Sequence, residues 1–244
     1  KGDSLSLQAR AGWWQDRVPP AQSISRTAVS QSDDLIAAFD SGTVSLVDVD
    51  LMGTNALGYS GSSETWDYPT TDFLYLGFNT RSGPCRTAQV RVALSRAVDR
   101  ESIVQVDYAL HAQAAALPVH PASILYDQST AQSLSYDLEP LLQAGLEGEE
   151  LVLLVNSENT AKVSAAQRIA GQLQAAGLAV EVERLAFEDF TAALARGDFD
   201  LYLGEVVLTA DFDLSALLSS SGVLNYGGWQ DGQTDAPIAP LAAP

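Results

Sequence analysis

The alternation of strand and helix patterns over residues 151–203 constrains the fold more than any other part of this sequence. Three strand-like runs are separated by two helical patterns, and each helical pattern closes at a glycine. The predicted elements are a strand Leu151–Val155, a helix from Thr160 as its cap to Gly177, a strand Leu178–Val182, a helix Phe187–Ala195 and a strand Phe199–Leu203. Strands that are connected through helices pair in parallel, with right-handed crossovers. The sequence therefore predicts an α/β fold built from βαβ units flanked by helices.

The first 80 residues are predicted to be mostly β-structure with a single helix. Helix start signals at Ser32–Asp34 are followed by a helix-ending glycine, Gly42. Strands are predicted at Ser6–Arg10, Ile24–Val29, Val44–Val49 and Phe73–Phe78, with a turn at Val18–Pro20 and a loop at Asn55–Ser63.

The middle of the chain is predicted to be helical. Val90, Ala93, Leu94 and Ala97 recur at helical spacing, and Asp99 is placed to cap a second helix whose Ile103, Val104 and Val106 enter the core. Residues 112–135 show no clear period and predict a long surface connection. A short helix is predicted over Tyr136–Ala144.

The charge and the scarce cysteine and histidine residues exclude several functions. The formal net charge is −18, with 31 acidic residues against 13 basic ones, and such a field repels a phosphate backbone, so no nucleic-acid partner is expected. A single cysteine, Cys85, excludes an intrachain disulfide, and two histidines, His111 and His120, disfavour a metal site. No glycine-rich phosphate-binding motif is present, and no cofactor is expected.

No apolar leader follows Lys1, which leaves a cytosolic protein and an exported protein with a removed leader as alternatives.

Three segments, in order, resemble one family of binding proteins. The first contains Gly12-Trp13-Trp14 and the phrase from Ala38 to Leu46. The second contains Leu76-Gly77-Phe78-Asn79-Thr80, the Pro84 turn and the run from Val90 to Arg100. The third is the strand–helix unit from Leu151 to Asn225. This pattern is similar to the peptide/nickel-binding (family 5) extracellular solute-binding proteins of ABC importers.

The resemblance implies a type II periplasmic-binding-protein-like fold with a mixed sheet, in two lobes. Residues 1–75 are expected to form part of lobe one and residues 76–244 lobe two, so that the chain is a fragment of a longer protein. The implied function is the substrate-binding component of an importer, with no enzymatic activity, which closes by a hinge around an oligopeptide or dipeptide. The implied partners are the peptide and the membrane permease subunits. The implied protein is a monomer outside the cytoplasm, either periplasmic or a cell-surface lipoprotein.

Candidate ligand-binding residues follow from the resemblance and from strand ends. The family's aromatic- and acid-containing phrase, whose acidic residue grips a peptide amino terminus, corresponds best to Asp211, with Asp213 and Glu205 as rivals. Helix capping is an equal alternative for Asp211 and Asp213, which precede the run from Leu214 to Leu218. We expect Tyr75 and Trp229 to stack on apolar groups of the ligand, with core packing as the alternative for Tyr75. We expect Asn79 and Asn225 to form hydrogen bonds to the peptide backbone, with turn formation as the alternative for both.

Two other classes of function stay open from the sequence. The Asp211 and Asp213 pair could serve a hydrolase, although no nucleophile–base constellation accompanies it. A sensory or structural module could use the same fold. Within the family, a sugar oligomer or a nickel chelate is the alternative ligand.

Overall fold

The structure is a computed structural model, and it describes residues 4–10, 12, 21–49 and 58–238. The chain divides into two compact units, one formed by residues 1–51 and 55–65 and the other by residues 52–54 and 66–244. The lobe boundary expected at residue 75 stays a prediction. No helix among the described residues combines the length and the apolar character that a membrane span requires.

The first unit contains an antiparallel pair of strands and one helix. Strands β1 (Ser4–Gln8) and β2 (Ser23–Thr27) pair along their whole length, and both are exposed throughout. Helix α1 (Ser32–Asp40) ends before Gly42, which has a φ of +74° that favours glycine. No side chain caps its start, contrary to the prediction from Ser32–Asp34.

The strand predicted at Val44–Val49 is wrong, because this segment is irregular in the structure. The Val44 N–H donates to the Ala38 carbonyl and so closes the end of α1 instead of joining a sheet. The predicted turn at Val18–Pro20 lies outside the described residues. The predicted loop at Asn55–Ser63 is irregular over residues 58–63, where it is described.

The second unit is built on a four-stranded sheet, and its mixed pairing confirms the mixed sheet that the family resemblance implies. Its strands are β3 (Asp72–Phe78), β4 (Glu150–Asn156), β5 (Ala179–Leu185) and β6 (Leu201–Val207), in the order β3-β6-β4-β5. Strand β4 runs parallel to β5 and to β6, whereas β3 is antiparallel to β6. The C-terminal ends of β4, β5 and β6 therefore lie at the same edge of the sheet, which we call the carboxyl edge. Ligands of α/β sheets bind at this edge.

Helices cover the sheet of the second unit. A single 3₁₀ turn at Pro84–Arg86 precedes α2 (Ala88–Arg96), α3 (Arg100–Val106), α4 (Gln128–Ser133), α5 (Glu139–Leu142), α6 (Thr160–Ala175), α7 (Phe187–Arg196), α8 (Ser215–Leu218) and α9 (Gly232–Ile238). The sequence missed α4, made α5 too long, and placed Val106 in the core although its side chain is exposed. The Asp99 cap of α3 is confirmed, but α6 is capped by Asn159 and not by Thr160.

The core has two layers, one on each face of the sheet. On one face Leu151, Leu153, Leu201 and Leu203 pack with buried residues of α2 and α6, including Leu94, Ile169 and Leu173. On the other face Leu154 and Tyr202 pack with Phe190 and Leu194 of α7. Burial of these side chains supplies most of the driving force for folding of this unit.

Two tyrosines lock strands β3 and β6 together. Tyr75 pairs with Gly204 and Gly77 pairs with Tyr202 in the antiparallel register, so each ring lies over the glycine of the opposite strand. A Cβ placed on Gly77 would lie 2.1 Å from the Tyr202 ring, and one on Gly204 would lie 2.5 Å from the Tyr75 ring. Only glycine leaves room for these rings.

Candidate functional site

Three of the predicted ligand-binding residues meet at one cavity of the second unit. Tyr75, Asn225 and Trp229 line a cavity of about 240 Å³ beside strand β3. Its other walls are mostly apolar, with Phe73, Leu76, Phe78 and Tyr202 on the strands, Leu214, Leu217 and Leu218 around α8, and Arg91 and Pro118 at the side. A cavity of this lining and size suits an apolar side chain or ring.

Trp229 is held by polar contacts around its ring. The Arg91 guanidinium carbon lies 5.3 Å from the ring centroid, a cation–π distance, and the indole N–H donates to the Thr234 hydroxyl at 3.3 Å. Asn225 donates from its amide nitrogen to the Trp229 and Ser219 carbonyls at 2.7 and 3.0 Å, and its amide oxygen accepts from the Trp229 N–H at 2.9 Å. Asn225 therefore shapes the turn that carries Trp229, and ligand contact by either residue stays a prediction.

Tyr75 forms part of an aromatic cluster. Its ring lies 5.7 Å from that of Tyr202 in an edge-to-face arrangement, and the two hydroxyl oxygens are 3.5 Å apart. Burial raises the pKa of both tyrosines, so both hydroxyls remain protonated near neutral pH. Tyr75 is half-buried, and it takes part in core packing while still lining the cavity.

Asn79 is not part of the cavity lining, and its side chain bonds to the backbone instead. It is buried, and its amide nitrogen donates to the Gly197 and Phe199 carbonyls at 3.2 and 3.0 Å. Its amide oxygen accepts from the Arg81 N–H at 3.0 Å. These bonds connect the end of β3 to the turn before β6. They match the turn-forming role that the sequence left open for Asn79 as the alternative to ligand binding.

The two aspartates after β6 differ in their surroundings. Asp213 accepts from the Ser215 N–H at 2.8 Å and from the Ser215 hydroxyl at 2.9 Å, so it stabilises the start of α8. Asp211 is exposed, and the Thr209 hydroxyl is the main cause that lowers its pKa. Asp211 is thus the more exposed of the two carboxylates in this loop.

Glu205 lies at the carboxyl edge and faces a buried cation. Its carboxylate is 3.7 Å from the ammonium of Lys162, whose side chain is 6% exposed. Burial lowers the pKa of Lys162, an effect that Glu205 and then Glu158 oppose. Lys162 also lies 5.9 Å from the ring centroid of Phe190, so its side chain crosses the end of the sheet towards α7.

Sequence reasoning missed Lys162, Asn156 and Glu158, which join Glu205 at this edge. The signal was present, because Lys162 lies four residues before Ala166 and seven before Ile169, on the buried stripe of α6. Asn156 ends β4 and donates from its amide nitrogen to Glu158 at 2.9 Å. Glu158 also accepts from the Phe187 N–H at 2.7 Å, and these two bonds, that from Asn156 first, lower its pKa.

Within the described ranges of the chain, no group of three or more His, Cys, Asp or Glu side chains is arranged to hold a metal ion. Cys85 is fully buried in the core. Burial, and then Asp200, raise the pKa of its thiol to about 12, so it is packed as a small apolar residue and is not activated.

Comparison with known proteins finds one family along most of the chain. The family model described as bacterial extracellular solute-binding proteins, family 5 Middle, matches residues 1–225. The match includes the carboxyl edge and Asp211, Asp213 and Asn225, and it ends before Trp229.

Solved structures with the same fold share little sequence with this chain. The ABC transporter substrate-binding protein CtaP from Listeria monocytogenes has a TM-score of 0.72 at 18% identity, over 100% of this chain and 52% of CtaP. The oligopeptide-binding protein AppA from Bacillus subtilis, in complex with a nonapeptide, has a TM-score of 0.63 at 17% identity, over 98% and 52%. AgaA from A. tumefaciens R10, in complex with agropinic acid, has a TM-score of 0.66 at 20% identity, over 98% and 51%. The chain spans about half the length of these proteins.

Proposed function

This chain belongs to the bacterial extracellular solute-binding proteins of family 5, and from that premise we propose that it is part of the peptide-binding component of an ABC importer. Proteins of this family bind solutes outside the cytoplasm and are not enzymes. In the proposal the complete protein is a monomer that delivers a peptide to the permease subunits of the importer. Both a cell-surface lipoprotein and a free periplasmic protein could fill this role.

The observation that carries the proposal is the state of Asp211. It is an exposed carboxylate in the loop that directly follows β6, where a ligand could reach it from solvent. A peptide amino terminus is an ammonium group, which pairs well with such a carboxylate. Asp213 is engaged at the start of α8 and Glu205 with Lys162, so Asp211 is the strongest candidate for the amino-terminal anchor.

The cavity beside β3 supplies a second feature that a peptide binder needs. Its aromatic lining around Trp229 and Tyr75 offers a large apolar contact surface at low entropic cost. We assign it to an apolar side chain of the ligand. The structural relative AppA from Bacillus subtilis holds a nonapeptide, which supports a peptide as the class of ligand.

A ligand other than a peptide is the second candidate. The similar fold of AgaA holds agropinic acid, so this fold also accommodates small non-peptide solutes. A sugar oligomer, a nickel chelate, or a sensory role of the same fold are the corresponding alternatives. Neither the sugar oligomer nor the nickel chelate requires an ammonium group for recognition, which separates these two ligands from a peptide.

The test is calorimetric titration of the full-length protein with peptides that carry a free or an acetylated amino terminus. Asp211→Asn should weaken binding of the free peptide about 10- to 100-fold, because it removes a charge-assisted hydrogen bond. The same substitution should leave the acetylated peptide almost unchanged. Asp198→Asn is the matched control, since Asp198 is also an exposed aspartate but lies before β6, at the other end of that strand.

The results separate the candidates. Equal binding of free and acetylated peptides by the unmodified protein would refute Asp211 as the anchor. Binding of sugars or chelates without any peptide binding would replace the ligand class while keeping the binding role. Measurable turnover of a peptide would contradict the proposal as a whole.

A further inference from the structure

Lys162 is an unusual residue for this chain. The sequence contains 13 basic residues, and Lys1 and Lys162 are the only lysines among them. Lys162 is buried in the first turn of α6, with its ammonium at the carboxyl edge of the sheet. A buried ammonium costs free energy unless its charge is paired and its N–H groups find acceptors.

The hydrogen-bonding capacity at this edge is only partly used. The Lys162 ammonium is 3.7 Å from Glu205, which is an ion-pair distance but longer than a hydrogen bond. The amide oxygen of Asn156 is buried and accepts no hydrogen bond from the part of the chain that the structure describes. A buried donor-rich group and a buried free acceptor therefore sit at the same end of β4.

The local charge decides which chemical group could satisfy both. Lys162 contributes one positive charge, and Glu158 and Glu205 contribute two negative charges. An added carboxylate would be repelled by both glutamates, and an added ammonium, which is a donor only, would offer no acceptor to the Lys162 N–H groups. An uncharged group that accepts one hydrogen bond and donates another fits this set, and a peptide bond is such a group.

We infer that Lys162 and Asn156 form a backbone subsite, in which the Lys162 ammonium donates to a carbonyl oxygen of the bound peptide and the Asn156 amide oxygen accepts from a peptide N–H. The inference rests on the proposed function, and it adds a contact to the ligand backbone at a place separate from Asp211. Glu158 holds the Asn156 amide nitrogen, which fixes the amide oxygen as the free acceptor. Glu205 balances the charge of Lys162, and Glu158 leaves the site with a net charge of about −1.

Access to the subsite leads past Glu205. Its side chain is 42% exposed, whereas that of Lys162 is 6% exposed, so Glu205 is the member of the pair that solvent reaches. Because an unpaired buried ammonium is costly, the Glu205 side chain must turn away only as a ligand carbonyl arrives at Lys162. A ligand carbonyl then replaces part of the interaction that the carboxylate provided.

The first experiment is a thermodynamic cycle between ligand and protein, measured by calorimetry on the full-length protein. The probes are pentaalanine and its analogues with one amide N-methylated at a time, since N-methylation removes a single N–H. In the unmodified protein, N-methylation at one position should weaken binding about tenfold. In Asn156→Leu that position should lose no more than about twofold, because the acceptor for the N–H is gone.

The second experiment tests the cation. Lys162→Met should weaken binding of pentaalanine about tenfold, while Arg184→Met is the control. Arg184 is an exposed cation near the end of the neighbouring strand β5, so it reports the general effect of removing a positive charge at this edge. Met fills the volume of the lysine side chain, and the partner that it leaves unpaired, Glu205, is 42% exposed and can be solvated.

A third measurement does not depend on any substitution. Reductive methylation of lysine amines, followed by mass spectrometry of the peptide that contains Lys162, reports access to its ammonium. Pentaalanine should slow methylation of Lys162 several-fold and should leave Lys1 unaffected. Unchanged Lys162 methylation at saturating peptide would contradict the subsite.

The failures of the two proposals are distinguishable. Pentaalanine binding with the same N-methylation penalty in Asn156→Leu, or full affinity in Lys162→Met, would overturn the subsite and leave the proposed function standing; an ordered water would then fill the site. No binding of pentaalanine or of any other unmodified peptide to the unmodified protein would overturn the proposed function, and the backbone subsite with it.

Discussion

Gly77→Ala is expected to destabilise the second unit by about 3 kcal/mol, at the upper end of the range for overpacking a core. The new methyl group would lie 2.1 Å from the Tyr202 ring, well inside the 3.4 Å at which ordinary contact begins. Three rings confine it away from the cavity, since the centroids of Phe199, Tyr75 and Tyr226 lie 5.2, 5.7 and 6.3 Å from its own. The strands must therefore separate or the whole aromatic cluster must shift.

The assay is native-state hydrogen exchange of the full-length protein, followed at the amides of β3 and β6, which gives the free energy of opening of this sheet. Gly171→Ala is the matched control, because Gly171 lies inside α6 and a methyl group added there would meet nothing within 4 Å, so this variant should gain about 0.5–1 kcal/mol instead. Tyr202→Val should remove most of the penalty of Gly77→Ala in a double variant. Unchanged protection of β3 in Gly77→Ala would refute the ring-over-glycine account.

Three further predictions concern buried and exposed acids and the thiol. Asp107→Ala should cost about 3 kcal/mol in denaturant unfolding, because it leaves Arg168 without its buried partner, whereas Asp198→Ala should cost less than about 0.5 kcal/mol; equal costs would contradict this. Cys85 should react with a thiol reagent at pH 8 only as fast as its unit opens, since burial raises the pKa of its thiol to about 12, and rapid labelling of the native protein would be inconsistent with this. Peptide affinity should fall on acidification only below the pH range in which an ordinary aspartate titrates, because the Thr209 hydroxyl lowers the pKa of Asp211; a loss starting above pH 5 in titrations would exclude Asp211 as the anchor.

The parallel part of the sheet could be predicted because its signals are local. Apolar runs at β4 and β5 and the helical stripe between them specify a βαβ unit without knowledge of distant residues. The extent of β6 could not be predicted, because it continues to Val207 only through pairing with β3, more than a hundred residues earlier. The segment Val44–Val49 shows the opposite failure, a strand-like pattern without a partner strand.

The sequence predicted which residues would line the cavity better than it predicted what each side chain does there. Tyr75 does meet Asn225 and Trp229 at one cavity, although it lies far from both in the sequence. Asn79 was singled out by the same reasoning, yet its amide bonds three backbone groups around a turn. Hydrogen-bond partners of a side chain depend on how distant turns come together, and no spacing rule within one chain segment specifies them.

Lys162 is a charged residue at a position where the apolar spacing of α6 predicts a buried apolar side chain. By spacing it belongs to the buried stripe of α6, where an apolar residue would pack as well and would cost no desolvation. Its pKa is lowered, so the fold itself disfavours the charge. Stability alone thus gives no reason for an ammonium at this position, whereas the proposed backbone subsite would give one. Replacing Lys162 by Met should therefore separate the two properties, since binding weakens while folding does not suffer.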